Sequence, residues 1–174
     1  MPGRHHHGSN CCRVALAWSP SEFFLPATCD GTRLFDRLGL ALCLSDQRII
    51  VFDGDGSLLM NLGSLSTMAR YAPRNLVHVV FDNESLLSVG GFPTATSTGT
   101  DLEGIARAAG IPTVLTVRTV EDFRSTVKNA LDGTQLATIV AKVEPTGPAG
   151  YVTDLSLLEN RFQFRRYIRS LQQQ

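Results

Sequence analysis

The chain of 174 residues lacks an excess of charge of either sign, since it holds 16 lysines and arginines against 16 aspartates and glutamates. It therefore lacks the basic field that binds nucleic acids or membrane surfaces through bulk electrostatics, and we expect neither as a partner. It also lacks an uninterrupted apolar run of about 20 residues, the length of a membrane-spanning helix. Hydrophobic residues make up 43% of the chain, which is enough for one globular domain with a sizeable core.

Cysteine is scarce, and the pattern of the residues present does not suit a metal site. The four are Cys11, Cys12, Cys29 and Cys43. They form no C-x-x-C pair, which argues against a zinc site. The early apolar run at residues 14–18 is shorter than the apolar region of a signal peptide, roughly seven residues or more. We therefore expect free thiols in a cytoplasmic protein.

Regular patterning is weak in the first part of the chain. Residues 1–20 include three adjacent histidines, and we expect this segment to be a disordered start or a tag remnant. We expect residues 21–174 to form a single domain. Residues 38–44 have the composition of the end of a buried helix, although the preceding residues do not indicate where that helix starts.

From residue 48 onward, short apolar runs alternate with segments of helical spacing. The predicted strands are residues 48–52, 76–81, 113–117 and 136–143. Helices are predicted between them, with Asp101 and Thr119 as N-caps, and a last helix is predicted to start at Asp154. Alternating strands and helices form parallel sheets through right-handed crossovers. The predicted fold class is α/β, a three-layer sandwich with a mostly parallel sheet and helices on both faces.

Two polar clusters follow the first two predicted strands. Residues 54–56 read Gly-Asp-Gly, and residues 82–85 read Asp-Asn-Glu-Ser. One helix and one strand lie between the clusters, so the chain returns to the same edge of the sheet. Ligands of open parallel sheets bind at the carboxyl ends of the strands, and we therefore predict a ligand site there. Residues 85–100, rich in glycine, serine and threonine, are predicted to form a functional loop.

The stretch VFDGDGS at residues 51–57 is compatible with two kinds of phosphate chemistry. It resembles the first motif of the haloacid-dehalogenase-type phosphatases, in which Asp53 would be the nucleophile and Asp55 the general acid/base of a Mg²⁺-dependent reaction. Thr116, with Lys128 or Lys142, could complete that chemistry. No later strand ends in the pair of acids that the metal site of these phosphatases needs. We therefore rank the phosphatase hypothesis below the two described next.

The second chemistry is the binding of a diphosphate through a divalent metal. Gly54-Asp55-Gly56 followed by Asn83, 28 positions after Asp55, resembles the G-D-G…N motif of thiamine-diphosphate-dependent enzymes. The resemblance covers about residues 38–170, including SVGGFPT and GIPTVLTV, and is closest to the cofactor-binding, C-terminal domain of sulfopyruvate and phosphonopyruvate decarboxylases. It implies that Asp55, Asn83 and the Ser85 carbonyl bind Mg²⁺, a cation that takes oxygen ligands. The cofactor-binding residues it implies are Gly54, Gly56, Ser57, Asn83, Ser85 and Leu86.

The resemblance also implies a function. The chain would be the thiamine-diphosphate- and Mg²⁺-binding subunit of a decarboxylase acting on a small 2-oxo acid with a second anionic group, in which the cofactor is the electron sink. A separate pyrimidine-domain subunit would complete a hetero-oligomer and supply the catalytic residues. The alternative is a noncatalytic or decayed homologue, because LFDR stands directly before Leu38 where the family has a longer glycine-rich segment.

Two further residues of this region have structural interpretations. Asp53 is predicted to cap the turn after its strand rather than to act in catalysis. His78, inside the apolar run LVHVVF, is predicted to be a core histidine whose hydrogen bonds are satisfied. Glu84 is bulkier than the small residues that follow the asparagine in the family, and its charge lies near the predicted phosphate site.

Overall fold

The computed structural model describes residues 22–25, 33–146 and 157–171. The strands in these ranges are β1 (Glu22–Leu25), β2 (Arg48–Gly54), β3 (Leu76–Asp82), β4 (Ser85–Leu86), β5 (Phe92–Pro93), β6 (Thr113–Val117) and β7 (Ala137–Lys142). The helices are α1 (Arg33–Cys43), α2 (Asp55–Met60), α3 (Gly63–Tyr71), α4 (Leu102–Ala108), α5 (Val120–Asp132) and α6 (Leu157–Leu171). The predictions for residues 1–20 and for a helix start at Asp154 lie outside the described residues.

Five of these strands form one parallel sheet in the order β1-β2-β3-β7-β6. The chain adds β1, β2 and β3 side by side, then crosses to β6 and returns to place β7 next to β3. All five carboxyl ends therefore lie at one edge of the sheet, which is where ligands of such folds bind. None of the helices in the described ranges is long and apolar enough to cross a membrane.

The apolar residues of the central strands alternate between two cores. Val51, Val80 and Val140 belong to a core packed with residues of α1 to α4 on one face of the sheet. Their neighbours Phe52 and Val79 belong to a second core on the other face, against Phe123 and other residues of α5. In this core the rings of Phe52 and Phe81 stack with their centroids 5.8 Å apart. Both faces of these strands are thus buried, as expected for parallel sheets. The predicted α/β sandwich is confirmed.

The boundaries near the Gly-Asp-Gly cluster differ from the prediction. The strand predicted at residues 48–52 continues through Asp53 and Gly54, because these residues pair with Val80 and Phe81 of β3. Helix α2 begins at Asp55 without an intervening turn. The single helix predicted after this point is two helices, since the backbone at Asn61 leaves the helical region at φ −146° and ends α2.

The predicted loop at residues 85–100 is largely ordered. Strands β4 and β5 pair in antiparallel fashion, and short 3-10 turns follow each of them. Glycines 90, 91 and 99 adopt positive φ values, which non-glycine residues rarely reach. We refer to residues 84–99 as the strap, because they run from the end of β3 across the start of α2.

Candidate functional site

One threonine of the strap joins the two polar clusters. Thr96 Oγ1 lies 3.0 Å from Asp55 Oδ2 and 2.8 Å from Asp82 Oδ1. Asp55 opens α2 directly after β2, and Asp82 is the last residue of β3. Both carboxylates are almost fully buried, with 2% and 1% of their surface exposed. The parallel strands thus bring the clusters to one edge of the sheet, as the sequence predicts.

A second threonine strengthens the same contact. Thr94 Oγ1 donates a hydrogen bond of 2.5 Å to Asp55 Oδ2, and it lies 2.8 Å from Thr96 Oγ1. Both threonines are buried. Neither threonine was predicted as a site residue, since the sequence marks them only by their place in a polar loop predicted to be functional. The strap therefore orients the Asp55 carboxylate through two hydroxyl groups.

The electrostatics of Asp55 favour a bound cation. Burial raises the pKa of Asp55, whereas the hydrogen bonds from Thr94 and Thr96 lower it. The negative charge of Asp82 raises it further, so that the pKa of the Asp55 carboxyl lies above its ordinary value of 3.8. Four short oxygen–oxygen contacts link these four side chains, whereas the two hydroxyls supply two protons. The cluster is rich in oxygen and poor in protons, which fits a divalent cation.

Asn83 and Ser85 form a tight turn beside this cluster. The Ser85 amide donates a 3.0 Å hydrogen bond to Asn83 Oδ1. This bond links the two residues whose side-chain amide and backbone carbonyl are the predicted metal ligands. The described ranges contain no group of three or more His, Cys, Asp or Glu side chains that could hold a metal ion. A metal bound here would rely on one carboxylate, an amide and a backbone carbonyl, which are oxygen donors of the type that Mg²⁺ takes.

The two glycines around Asp55 have different surroundings. A β-carbon on Gly56 would collide with Leu86 Cδ2 and would lie 3.4 Å from Thr94 Cγ2, so the strap fills this space. A β-carbon on Gly54 would meet nothing within 4 Å, and the Gly54 backbone is extended at φ −107°. An added β-carbon would therefore force the Leu86 side chain to move at position 56, whereas it would enter open space at position 54. The side chain of Leu86, which the resemblance implies as a cofactor-binding residue, packs against Gly56.

Asp53 points into the protein interior. It accepts a 2.9 Å hydrogen bond from the Gly54 amide, and its Oδ2 lies 3.5 Å from His78 Nε2. Burial raises the pKa of Asp53, but His78, the Ser57 side chain and the Gly54 amide together lower it below 3.8. Ser57, predicted to bind the cofactor, thus directs its side chain to Asp53. The predicted local structural role of Asp53 agrees with these contacts, although Asp53 lies in β2 rather than in a turn.

The prediction that His78 is a satisfied core histidine is half wrong. His78 is fully buried, as predicted. Neither of its ring nitrogens has a hydrogen-bond partner among the described residues, and the same holds for the Thr138 hydroxyl on the adjacent strand. The Asp53 carboxylate oxygen Oδ2 lies 3.5 Å from Nε2 of this buried ring.

The residues named for the phosphatase hypothesis are not brought together. Asp53 is 9% exposed and contacts His78 instead of facing an open site. Thr116 lies on the edge strand β6, and two strands separate β6 from β2. Lys142 Nζ contacts Asp82 at 2.7 Å and Glu84 at 2.9 Å. Glu84, beside the predicted phosphate site, is 49% exposed and forms an ion pair with Lys142.

The chain is similar in sequence to known proteins. Residues 36–141 match the family described as "Thiamine pyrophosphate enzyme, C-terminal TPP binding domain". Sulfopyruvate decarboxylase subunit beta of Methanocaldococcus jannaschii is 45% identical over 113 residues, which are 64% of this chain and 60% of that protein. Phosphonopyruvate decarboxylase of Streptomyces hygroscopicus is 42% identical over 95 residues, covering 54% of this chain and 23% of that protein. The chain thus spans less than two thirds of the length of these relatives.

Solved structures show the same fold. Benzoylformate decarboxylase from Polynucleobacter necessarius superposes with a TM-score of 0.55 at 21% sequence identity, covering 66% of this chain and 24% of that one. Transketolase from Campylobacter jejuni gives a TM-score of 0.56 at 18% identity, covering 68% of this chain and 20% of the other. At these identities the likeness concerns the fold alone.

Proposed function

Because the chain belongs to the family of C-terminal TPP-binding domains of thiamine pyrophosphate enzymes, we propose that it binds thiamine diphosphate and Mg²⁺ as one subunit of a 2-oxo acid decarboxylase. The observation that carries the proposal is the buried Asp55 carboxylate at the carboxyl edge of the sheet, oriented by Thr94 and Thr96. The names of the two relatives described above support a substrate with a second anionic group, such as a sulfonate or a phosphonate.

Each residue of the proposed site has a defined task. Asp55 supplies the carboxylate for Mg²⁺, Asn83 supplies its side-chain oxygen, and Ser85 supplies its backbone carbonyl. Thr94 and Thr96 hold the Asp55 carboxylate in one orientation, so little side-chain freedom is lost when the cation binds. The open space at Gly54 lets a diphosphate approach the backbone there, close to the amides of Gly56 and Ser57 that open α2. The cofactor, when bound, supplies the electron sink for decarboxylation.

The proposed active unit includes a second subunit. One relative at 45% identity is named as a beta subunit, which supports a hetero-oligomer. We propose that the partner is a pyrimidine-domain subunit that contributes the catalytic residues and part of the substrate pocket. A cytoplasmic location is part of the same proposal.

The alternative is a homologue that has kept the fold but lost the cofactor. The observation that favours it is the contact between Leu86 and Gly56, since an apolar side chain covers the start of α2 where the diphosphate is proposed to bind. In that case Asp55 would serve only to anchor the strap. The two hypotheses differ in whether the chain takes up cofactor at all.

A calorimetric titration of the full chain with thiamine diphosphate in saturating Mg²⁺ tests the proposal. The wild-type chain is expected to bind, and Asp55→Ala and Asn83→Ala are each expected to abolish binding. Asp101→Ala is the matched control, because Asp101 is not part of the proposed site. It occupies the N-cap position of α4, but its side chain makes no capping hydrogen bond to the helix. A wild-type chain that shows no binding heat up to millimolar cofactor would leave the decayed homologue as the explanation.

A further inference from the structure

Lys142 and Asp82 form a neighbouring pair across the middle of the sheet. They are direct register partners at the carboxyl ends of β7 and β3. Lys142 Nζ lies 2.7 Å from Asp82 Oδ2, and Asp82 is 1% exposed. The ammonium group also contacts Glu84 Oε1 at 2.9 Å, but Glu84 is 49% exposed, so solvent screens this second contact. Lys142 therefore acts mainly on Asp82.

Asp82 is placed where it could compete for a metal ion. It immediately precedes Asn83, the proposed amide ligand, and it shares the Thr96 hydroxyl with Asp55. Its two oxygens have different partners: Oδ1 accepts from Thr96 and from the Glu84 amide, and Oδ2 accepts from Lys142. A carboxylate in this position would be a hard oxygen ligand of the kind that divalent cations select.

We propose that Lys142 is a positioning residue that withholds Asp82 from the metal, so that Asp55 is the one carboxylate ligand and the site accepts an anionic diphosphate. The inference rests on the proposed function. With Lys142 in place, the charge of the half-buried lysine offsets that of the buried Asp82, and Asp55 alone contributes net negative charge to the buried cluster. Without Lys142, a second uncompensated carboxylate would attract a cation more strongly and repel the diphosphate.

Replacing Lys142 should therefore move two affinities in opposite directions. In Lys142→Met, Mn²⁺ alone, followed by electron paramagnetic resonance, is expected to bind more tightly than in the wild type. Thiamine diphosphate in saturating Mg²⁺, followed by calorimetry, is expected to bind about tenfold more weakly. Lys142→Arg keeps the charge and should retain both affinities within about threefold. A general loss of structure would weaken both ligands together.

The double variant Lys142→Met with Asp82→Asn removes both charges of the pair and should restore the diphosphate affinity. Asn75→Ala is the stability control, because Asn75 Nδ2 donates to three backbone carbonyls at the opposite edge of the sheet and its loss should lower the melting temperature alone. Should the Lys142→Met chain fail to fold, Asp82→Asn alone serves, with weaker Mn²⁺ binding and undiminished diphosphate binding expected.

The inference is overturned if Lys142→Met binds thiamine diphosphate as the wild type does, if it loses both ligands in parallel, or if Asp82→Asn fails to restore the double variant. In the single Asp82→Asn variant, weakened diphosphate binding overturns it. A wild-type chain that binds neither probe contradicts the proposed function, and this inference falls with it. Wild-type binding combined with an unaffected Lys142→Met variant removes the inference and leaves the proposed function standing.

Discussion

Leu86 of the strap packs against Gly56 so closely that a β-carbon on Gly56 would collide with Leu86 Cδ2. Gly56→Ala must therefore displace the Leu86 side chain, and we expect a loss of about 1–2 kcal/mol in the free energy of unfolding. Combining Gly56→Ala with Leu86→Ala should make the chain no less stable than Leu86→Ala alone. Chemical denaturation of the four proteins measures this coupling, and additive losses would show that the two residues do not share the space.

Gly54 offers the matched control for this substitution. Because its backbone is extended and no atom would lie within 4 Å of an added β-carbon, Gly54→Ala should change stability by less than about 0.5 kcal/mol. The same variant should bind thiamine diphosphate more weakly, since the methyl group occupies the space proposed for the diphosphate. Unchanged calorimetric affinity in a fully folded Gly54→Ala chain would place the diphosphate elsewhere.

Asp53 and His78 are expected to be energetically coupled. Their side chains lie 3.5 Å apart in the interior, where Asp53 is 9% exposed and His78 is fully buried. His78→Leu replaces the polar ring beside this buried carboxylate and should cost about 1–3 kcal/mol. In a double-mutant cycle, His78→Leu should cost less when Asp53 is already Asn. Equal costs in both backgrounds would indicate that His78 contributes only through its packing.

The stability of the metal-free chain should depend on pH through Asp55. The pKa of Asp55 is raised above 3.8 in the folded protein, so its stabilising contribution is present below 3.8 and is lost as the pH rises through the folded value. The pKa of Asp53 is lowered, so the ionised Asp53 carboxylate stabilises the folded protein above pH 3.8. This stabilisation is lost only as the pH falls below 3.8. Ionised Asp55 therefore destabilises the metal-free fold near neutral pH.

Asp55→Asn isolates this effect. The variant should be more stable than the metal-free wild type at about pH 7, and the difference should shrink toward about pH 4. Mg²⁺ should stabilise the wild type but not the variant, because only the wild type has the carboxylate ligand. Thermal unfolding across this range, with and without Mg²⁺, provides the measurement. A stability difference that does not change with pH would contradict the assignment of the raised pKa to Asp55.

Much of the fold follows from local sequence patterns. Strand β6 has the predicted bounds, and α5 begins after Thr119, whose hydroxyl accepts a 3.1 Å hydrogen bond from the Asp122 amide. These features depend on residues close together in the chain. The end of β2 was predicted too early because Asp53 and Gly54 are polar or small, whereas pairing with β3 keeps them in the strand.

The site was predicted only in part, because its remaining contacts join distant segments. Asn83 and Asp55 could be identified from a motif with fixed spacing. Thr94 and Thr96 contact Asp55 across 39 and 41 positions, and no periodicity marks them. Lys142 meets Asp82 only because β7 returns to lie beside β3, out of sequence order. Neither contact has a local signal in the chain.

The most direct test of the proposed metal site is a crystal structure of the full chain with thiamine diphosphate and Mn²⁺, in which anomalous scattering locates the metal. We expect the metal within about 2.5 Å of an Asp55 carboxylate oxygen, Asn83 Oδ1 and the Ser85 carbonyl, with Asp82 still paired to Lys142. A bound cofactor whose metal lies away from Asp55, or whose metal is held by Asp82, would contradict it.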